Sequence, residues 1–313
     1  RILILSKTRK ILLTQFIKTH LNNMSLSTKK VFISLLILAA SFLVGSYTIF
    51  TQSASGQSCV EPPSGLVSWW NVDTISGKTV SDIKGKNNGT LERSGFTTVP
   101  GKVGNAFHSG PNGDIEIGNP DSLNFGSGPF SLEVWFKWEG KRMGDEVGEI
   151  IRKSTYTGSS PGPGYWLMIK STSEDSMLEF QVGDLVDVGQ SVARRATTPI
   201  VPGVWHHAVA TMDRDIMKLY LNGELKSTVE MKGTPNVMDA ATTSDAPFFI
   251  GGPHWGFGGF IDEVSVYKKA LSQSEVQAIF NAGRAGKCKP STTPEPSNPP
   301  VYVSPTPTKS PIP

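Results

Sequence analysis

Residues 205–224, from Trp205 to Glu224, read WHHAVATMDRDIMKLYLNGE. Strand geometry sends successive side chains to opposite sides, so Trp205, His207, Val209 and Thr211 share one face and His206, Ala208, Ala210 and Met212 the other. The two histidines therefore cannot share a metal ion, and no adjacent hydroxyl or thiol stands ready for activation. His207 reads as a structural residue hydrogen-bonded within a sheet, and His206 as an exposed, replaceable one. Next, Met217, Leu219 and Leu221 alternate inward, and Asn222-Gly223 suits a tight type I′ turn into Glu224 and Leu225. The segment is a β-meander, which sets the expectation for the whole chain.

Working outward, short apolar or alternating runs are broken by Gly, Pro, Asn and Asp. Strands are predicted at 66–70, 106–107, 114–117, 130–138, 149–153, 165–170, 177–182, 204–212, 217–221, 248–251 and 259–267. This pattern predicts an all-β fold, a two-sheet antiparallel jelly-roll sandwich, with no internal repeat. Of Trp69 and Trp70, which alternate, at least one belongs in the core, as do Trp135, Trp138 and Trp205. One short helix is signposted in LSQSEVQAIFNAG, where Ser272 and Glu275 have capping-box spacing, Val276, Ile279 and Phe280 share a face, and Gly283 ends it.

The 313 residues carry 30 Lys and Arg against 27 Asp and Glu. Residues 1–30 hold seven of the basic residues and no acid, so the rest of the chain is mildly acidic. Without a basic run, nucleic acid is not expected as a partner. Residues 1–30 read as leader or upstream sequence, with Met24 as the natural start. The uncharged run from Val31 to Phe50 and the small residues after it make 31–56 a signal peptide, cut before Gln57, or an uncleaved transmembrane anchor. Both readings put the bulk of the chain in the extracellular space or at the cell surface, with membrane contact only through that segment. Residues 57–288 form the folded domain. Residues 289–313, rich in Pro, Ser and Thr, read as an extended tail that buries too little surface to fold. The two cysteines, Cys59 and Cys288, bracket the domain, and in an exported chain they read as a disulfide.

Four blocks then resemble a known family in the family's own order. They are SGKTVSDIKGKNNGTL (76–91), PGKVGNAFHSG (100–110), the WHHA…LYLNGE pair of strands, and GGFIDEVSVYKKALSQSEV (258–276). Together they are similar to laminin-G-like jelly-roll domains of the concanavalin A-like lectin/glucanase superfamily, and the likeness runs from about Leu66 to Gly283. The resemblance implies adjacent first and last strands, which agrees with the disulfide. It also implies a structural calcium ion. For that ion Asp82, Asn87 and Asn88 supply oxygens on a Gly-containing loop, with Asp262 contributing from the last strand. Ile83, Lys84 and Lys86 depart from the family's small, uncharged residues there. The residues themselves leave a second reading open: Asp82, Asn87 and Asn88 shape a turn, and Asp262 accepts backbone N–H groups.

The superfamily includes glycoside hydrolases, whose chemistry needs two carboxylates facing each other across the scissile bond. No E-x-D-x-E strand is present. Glu133 has no acid two or four residues on, and Asp262 and Glu263, being adjacent, are expected on opposite faces. Other catalytic motifs are absent, and PGPG at 161–164 reads as a turn. What remains is a non-catalytic module binding carbohydrate or an extracellular protein. Its expected ligand residues are aromatic and stand on Gly-rich loops: His254, Trp255 and Phe257 in one, Tyr165 and Trp166 (with Tyr156) in the other. A glycosidase or its accessory domain, and an adhesion domain with no glycan binding, are the alternatives.

Overall fold

The computed structural model describes residues 58–290, leaving out 74, 93–95, 110–112, 141–146, 158–159, 173, 184, 187–189, 192–193, 231–241 and 253–254; for 96, 156–157, 160–161, 185–186 and 190–191 only the backbone is described. The expected leader, signal or anchor and the Pro-rich tail, together with His254, lie outside the described residues.

In chain order the strands begin with β1 (Leu66–Trp70), β2 (Ile75–Ser76), β3 (Thr79–Val80), β4 (Gly89–Leu91), β5 (Phe96–Pro100), β6 (Asn105–Ser109) and β7 (Ile115–Gly118). They continue with β8 (Phe130–Trp138), β9 (Val147–Thr157), β10 (Ser160–Ser171), β11 (Ser176–Gly183), β12 (Leu185–Val186), β13 (Gln190–Ser191) and β14 (Arg194–Pro199). The last are β15 (Trp205–Asp213), β16 (Ile216–Leu221), β17 (Glu224–Glu230), β18 (Phe248–Ile250) and β19 (Gly259–Tyr267), followed by helix α1 (Gln273–Ala282). One sheet has the order β17-β16-β15-β8-β19-β6-β5, with β1 also paired to β19; the other runs β14-β11-β10-β9-β18-β7-β4-β3-β2. Every pairing within the two is antiparallel, the architecture expected from the alternating pattern. The strands beyond the expectation, such as β5 and β14, are polar edge or near-edge strands whose RRATTP-like sequence carries little apolar periodicity.

The core lies between the sheets. Trp70, Phe107, Phe130, Phe136, Phe180 and Phe248 are fully buried there, each such ring stabilising the fold by roughly 2–3 kcal/mol. Trp135 and Trp138 are buried as expected, whereas Trp205 is only partly covered. Asn222 and Gly223 adopt positive φ, 53° and 81°, the geometry a type I′ turn demands. Helix α1 has the expected capping box, Ser272 accepting from the Glu275 N–H and Glu275 reaching back to the Ser272 N–H. Its Val276 and Ile279 pack on Val209, Tyr220 and Tyr267, closing a second apolar cluster over the outer face of the eight-stranded sheet.

The chain ends are tied. Cys59 and Cys288 are disulfide-bonded, and Val60 pairs with Lys287 in a parallel bridge through Val60 N–H to Gly286 O and Cys288 N–H to Val60 O. The pairing of β1 with β19 brings these ends together.

Candidate functional site

Directly opposite residues in an antiparallel ladder share a face. Across the nine-stranded sheet the register runs Arg195–Gln181–Trp166–Arg152–Phe249–Glu116–Thr90, one residue per strand from β14 to β4. Their neighbours Ala196, Phe180, Leu167 and Ile151 fill the core, so this line stands on the outer face. A second line, Thr197–Glu179–Met168–Glu149, runs beside it. The Arg152 guanidinium lies 5.5 Å from the Trp166 ring centroid, donates to the Ser154 carbonyl at 3.0 and 3.2 Å and is 3.6 Å from Glu149 Oε1. Glu179 Oε1 is shared between Lys170 Nζ at 3.3 Å and Arg195 Nε at 3.4 Å. Arg152, Trp166, Glu179 and Gln181 are buried, while Lys170, Arg195, Phe249 and Glu116 open to solvent at least in part. Burial, then Glu92 and Asp114, raise the Glu116 carboxyl above its usual range. The β12–β13 ribbon lies against β10.

Of the aromatics expected to bind ligand, Trp166 is in the middle of this line. Trp255 is beside it, half-buried, its carbonyl accepting the Glu149 N–H at 3.1 Å. Gly252 makes that approach possible, since a Cβ there would lie 1.8 Å from Glu149 Oε2. Tyr165 and Phe257 are corrections. Tyr165 is the immediate neighbour of Trp166 and so points the other way, into the core, with its hydroxyl donating to Leu123 O at 2.8 Å. Phe257 packs on Phe136 and Trp138 and is wholly buried. The PGPG stretch is not a turn but part of β10, irregular in register between Pro161 and Gly164. Gly164, at φ 129°, has no room for a Cβ against the Lys153 carbonyl.

The outer face of the eight-stranded sheet holds a buried charged network. Lys287 Nζ donates to Glu133 Oε1 and Oε2 at 2.8 and 2.9 Å and is 3.2 Å from Glu263 Oε2. Tyr267 OH donates to Glu133, Trp69 Nε1 to Glu263, and His207 Nε2 lies 3.4 Å from Glu133. Burial alone would raise the Glu133 carboxyl, but the Lys287 ammonium and His207 outweigh it and hold it at about 2. Burial lowers His207. The two carboxylates raise Lys287 against the opposing effect of burial. Burial raises Glu263, only partly countered by Lys287.

Asp262 and Glu263 are not on opposite faces. A bulge between Asp262 and Ser265, with Glu263 at φ 58°, turns both acids outward. Burial and then the Glu263 charge push Asp262 well above the carboxylate range. Three acids thus stand on this outer face, Glu133 and Glu263 against Lys287 and Asp262 against the 102–103 loop, a grouping that sequence spacing concealed. His207 is the buried structural histidine expected. His206 is a correction: it is buried on the inner side against Phe136, with Nε2 2.9 Å from Val201 O and Nδ1 3.2 Å from Asn222 Nδ2.

With this geometry in view, comparison with known proteins is decisive for the family. The profile of Laminin_G_3, in the Concanavalin A-like lectin/glucanases superfamily, matches residues 109–277. The chain belongs to this Laminin_G_3 family. Mouse pappalysin-1 is 29% identical over 157 residues, 47% of this chain and 9% of that protein. The receptor binding domain of botulinum neurotoxin C/D mosaic serotype superposes with a TM-score of 0.50 at 15% identity, over 69% of this chain and 51% of that one. A mutant Trypanosoma rangeli sialidase displaying trans-sialidase activity gives 0.50 at 16% identity, over 71% and 34%. These structural likenesses concern the fold.

For this Laminin_G_3 chain the calcium expectation can be tested on its donors. The Asp82 carboxylate accepts four backbone N–H groups, from Trp69, Lys84, Lys86 and Asn87. Asn88 Oδ1 accepts the Asp82 N–H, and Asn87 Nδ2 donates to Ser68 and Ser122. Asp262 Oδ2 accepts from the Lys102 and Val103 N–H groups on another loop. A calcium ion needs six to eight oxygens turned toward it; here both Asp82 oxygens and Asp262 Oδ2 face N–H donors, and Asp262 Oδ1 is a single buried oxygen without a hydrogen-bond partner. Among the described residues no group of three or more His, Cys, Asp and Glu side chains could hold a metal. The donor set as folded does not fit calcium.

Proposed function

We propose that this is an exported, non-catalytic module that binds glycans on the outer face of the nine-stranded sheet. The observation that carries the proposal is the register line Arg195–Gln181–Trp166–Arg152–Phe249. Arg195 and Phe249 offer a guanidinium and a ring to solvent for sugar hydroxyls and apolar sugar faces, and the buried Gln181, Trp166 and Arg152 between them set the inter-strand spacing of about 4.8 Å. The disulfide supports an oxidising, extracellular setting. A binding role rather than hydrolysis is supported by the state of the three clustered acids: Glu133, Asp262 and Glu263 are at most 1% exposed, and Lys287 bridges two of them. Solved relatives with this fold include a receptor binding domain and a sialidase, so the fold itself serves both kinds of protein.

A glycan array with wild type and Arg195→Ala, followed by a reducing-sugar assay on every hit, tests the reading. Hits weakened in the variant with no sugar release support it. Sugar release would make the module an enzyme, and retained cell or protein adhesion without any glycan hit would make it an adhesion domain.

A further inference from the structure

A second line of side chains crosses the opposite sheet. The register Trp205–Lys137–Phe260–His108–Thr97 runs over β15, β8, β19, β6 and β5. Four inter-strand steps make it about 19 Å long. It shares a face with Trp135 and His207, but unlike them it is not buried: Trp205, Lys137, Phe260 and His108 are all partly exposed and Thr97 is exposed. The rings close over the lysine. Lys137 Nζ lies 3.8 Å from the Phe260 centroid and 5.9 Å from that of Trp205, whose rings are 6.1 Å apart, and His108 stacks on Phe260 at 4.5 Å.

The positive charge continues inward. Lys102 Nζ stands 4.3 Å over the Trp135 ring. Burial, and then the nearby Arg284 guanidinium, hold that ammonium below its usual range. Glu139, just beyond the end of β8, lies 3.1 Å from His108 Nε2. Cations interleaved with open rings favour a ligand that offers both an apolar face and a negative charge.

We infer that the Trp205–Lys137–Phe260 line is a second binding site, distinct from the nine-stranded face, and that its ligand is an acidic saccharide whose ring faces stack on Trp205 and Phe260 while its carboxylates meet Lys137 and Lys102. An uncharged sugar would use the rings and leave the ammonium groups unmatched. A protein partner would need a matching apolar surface across a line that is largely cation and ring.

Isothermal titration of the full chain with oligogalacturonate, hyaluronan oligosaccharide and neutral cello-oligosaccharide tests this. Both acidic probes should bind more tightly than the neutral one, and more weakly as salt rises. Lys137→Gln, which removes the charge and keeps a polar side chain, should weaken the acidic probes by about threefold, the scale of an exposed ion pair. Trp205→Ala should weaken them by about tenfold. Lys226→Gln, at an exposed cation that belongs to neither line, should leave these affinities unchanged, and a loss in Arg195→Ala instead of in Lys137→Gln would place the acidic probes on the other face. Unfolding midpoints of each variant confirm that folding is retained. Absence of binding to both acidic probes, equal affinity for the neutral one, wild-type affinity in Lys137→Gln and Trp205→Ala, or binding only to phosphatidylserine vesicles would each overturn the assignment.

Discussion

The ammonium of Lys287 bridges Glu133 and Glu263, residues 154 and 24 positions away in the chain, at 2.8 Å from the first and 3.2 Å from the second. All three side chains are at most 1% exposed. Removing one partner of such a buried set leaves an uncompensated charge. Lys287→Met is therefore expected to lower the unfolding free energy by about 3–5 kcal/mol. A Lys287→Met/Glu133→Gln double variant should recover part of that loss, because Glu133 is then no longer a buried carboxylate without its ammonium and only Glu263 is left so. Urea denaturation at neutral pH measures both, and a loss under 1 kcal/mol in the single variant would contradict the burial of the pair.

The same network sets an acid limb. Glu133 titrates near 4.5 when unperturbed and at about 2 in the fold. A depressed carboxyl contributes stability that is complete above about 4.5 and disappears as the pH falls toward 2, a change on the order of 3 kcal/mol. His207, lowered by burial, adds in the same direction, losing its contribution as the pH drops below 6.5. Lys287 is raised, so its share is complete below 10.5 and is lost only in alkali. Asp262 and Glu263, raised by burial, act in the opposite sense, so the acid loss due to Glu133 is read between about pH 4.5 and 2, where unfolding midpoints should fall and Glu133→Gln should flatten the fall.

Lys287 immediately precedes Cys288, so the disulfide and the buried cation share one strand end. The chain-entropy account credits a bridge closing a loop this long with about 5 kcal/mol. Reduction, or Cys59→Ala/Cys288→Ala, should cost up to that amount. It should also make the Lys287→Met penalty smaller, because the segment that delivers the ammonium is no longer clipped to Cys59 and is held only by the backbone bridge to Val60. A double-mutant cycle on unfolding free energies reads the coupling, and strict additivity would show that the bridge does not hold Lys287 in place.

Asp82 acts as the hub of its loop, accepting from four backbone N–H groups. Asp82→Ala should destabilise by about 2–3 kcal/mol, the scale of losing hydrogen bonds to a charged acceptor. Wild type should show the same melting temperature in calcium and in chelator. A rise of several degrees with calcium, abolished in Asp82→Ala, would restore the metal reading.

What the sequence determined by itself is local or periodic. The two-residue repeat in 130–138, 205–213 and 259–267 set strand, face and hence core. Asn222-Gly223 set a turn through backbone sterics, and Ser272 with Glu275 set a helix start through orphan N–H groups. The disulfide was legible from the count of two cysteines bracketing the domain. The tertiary structure alone decided which chemistry meets. The bulge at Glu263 overrode strict alternation and put Asp262 and Glu263 side by side. His206 was read as exposed because alternation gives a face but not what covers it, and Val201 and Asn222 cover it. Neither the Arg195-to-Phe249 line nor the Trp205-to-Thr97 line is visible in one dimension, since each takes one residue from each of five strands. Strand register is set by packing across the whole sandwich, and that long-range term has no local signature.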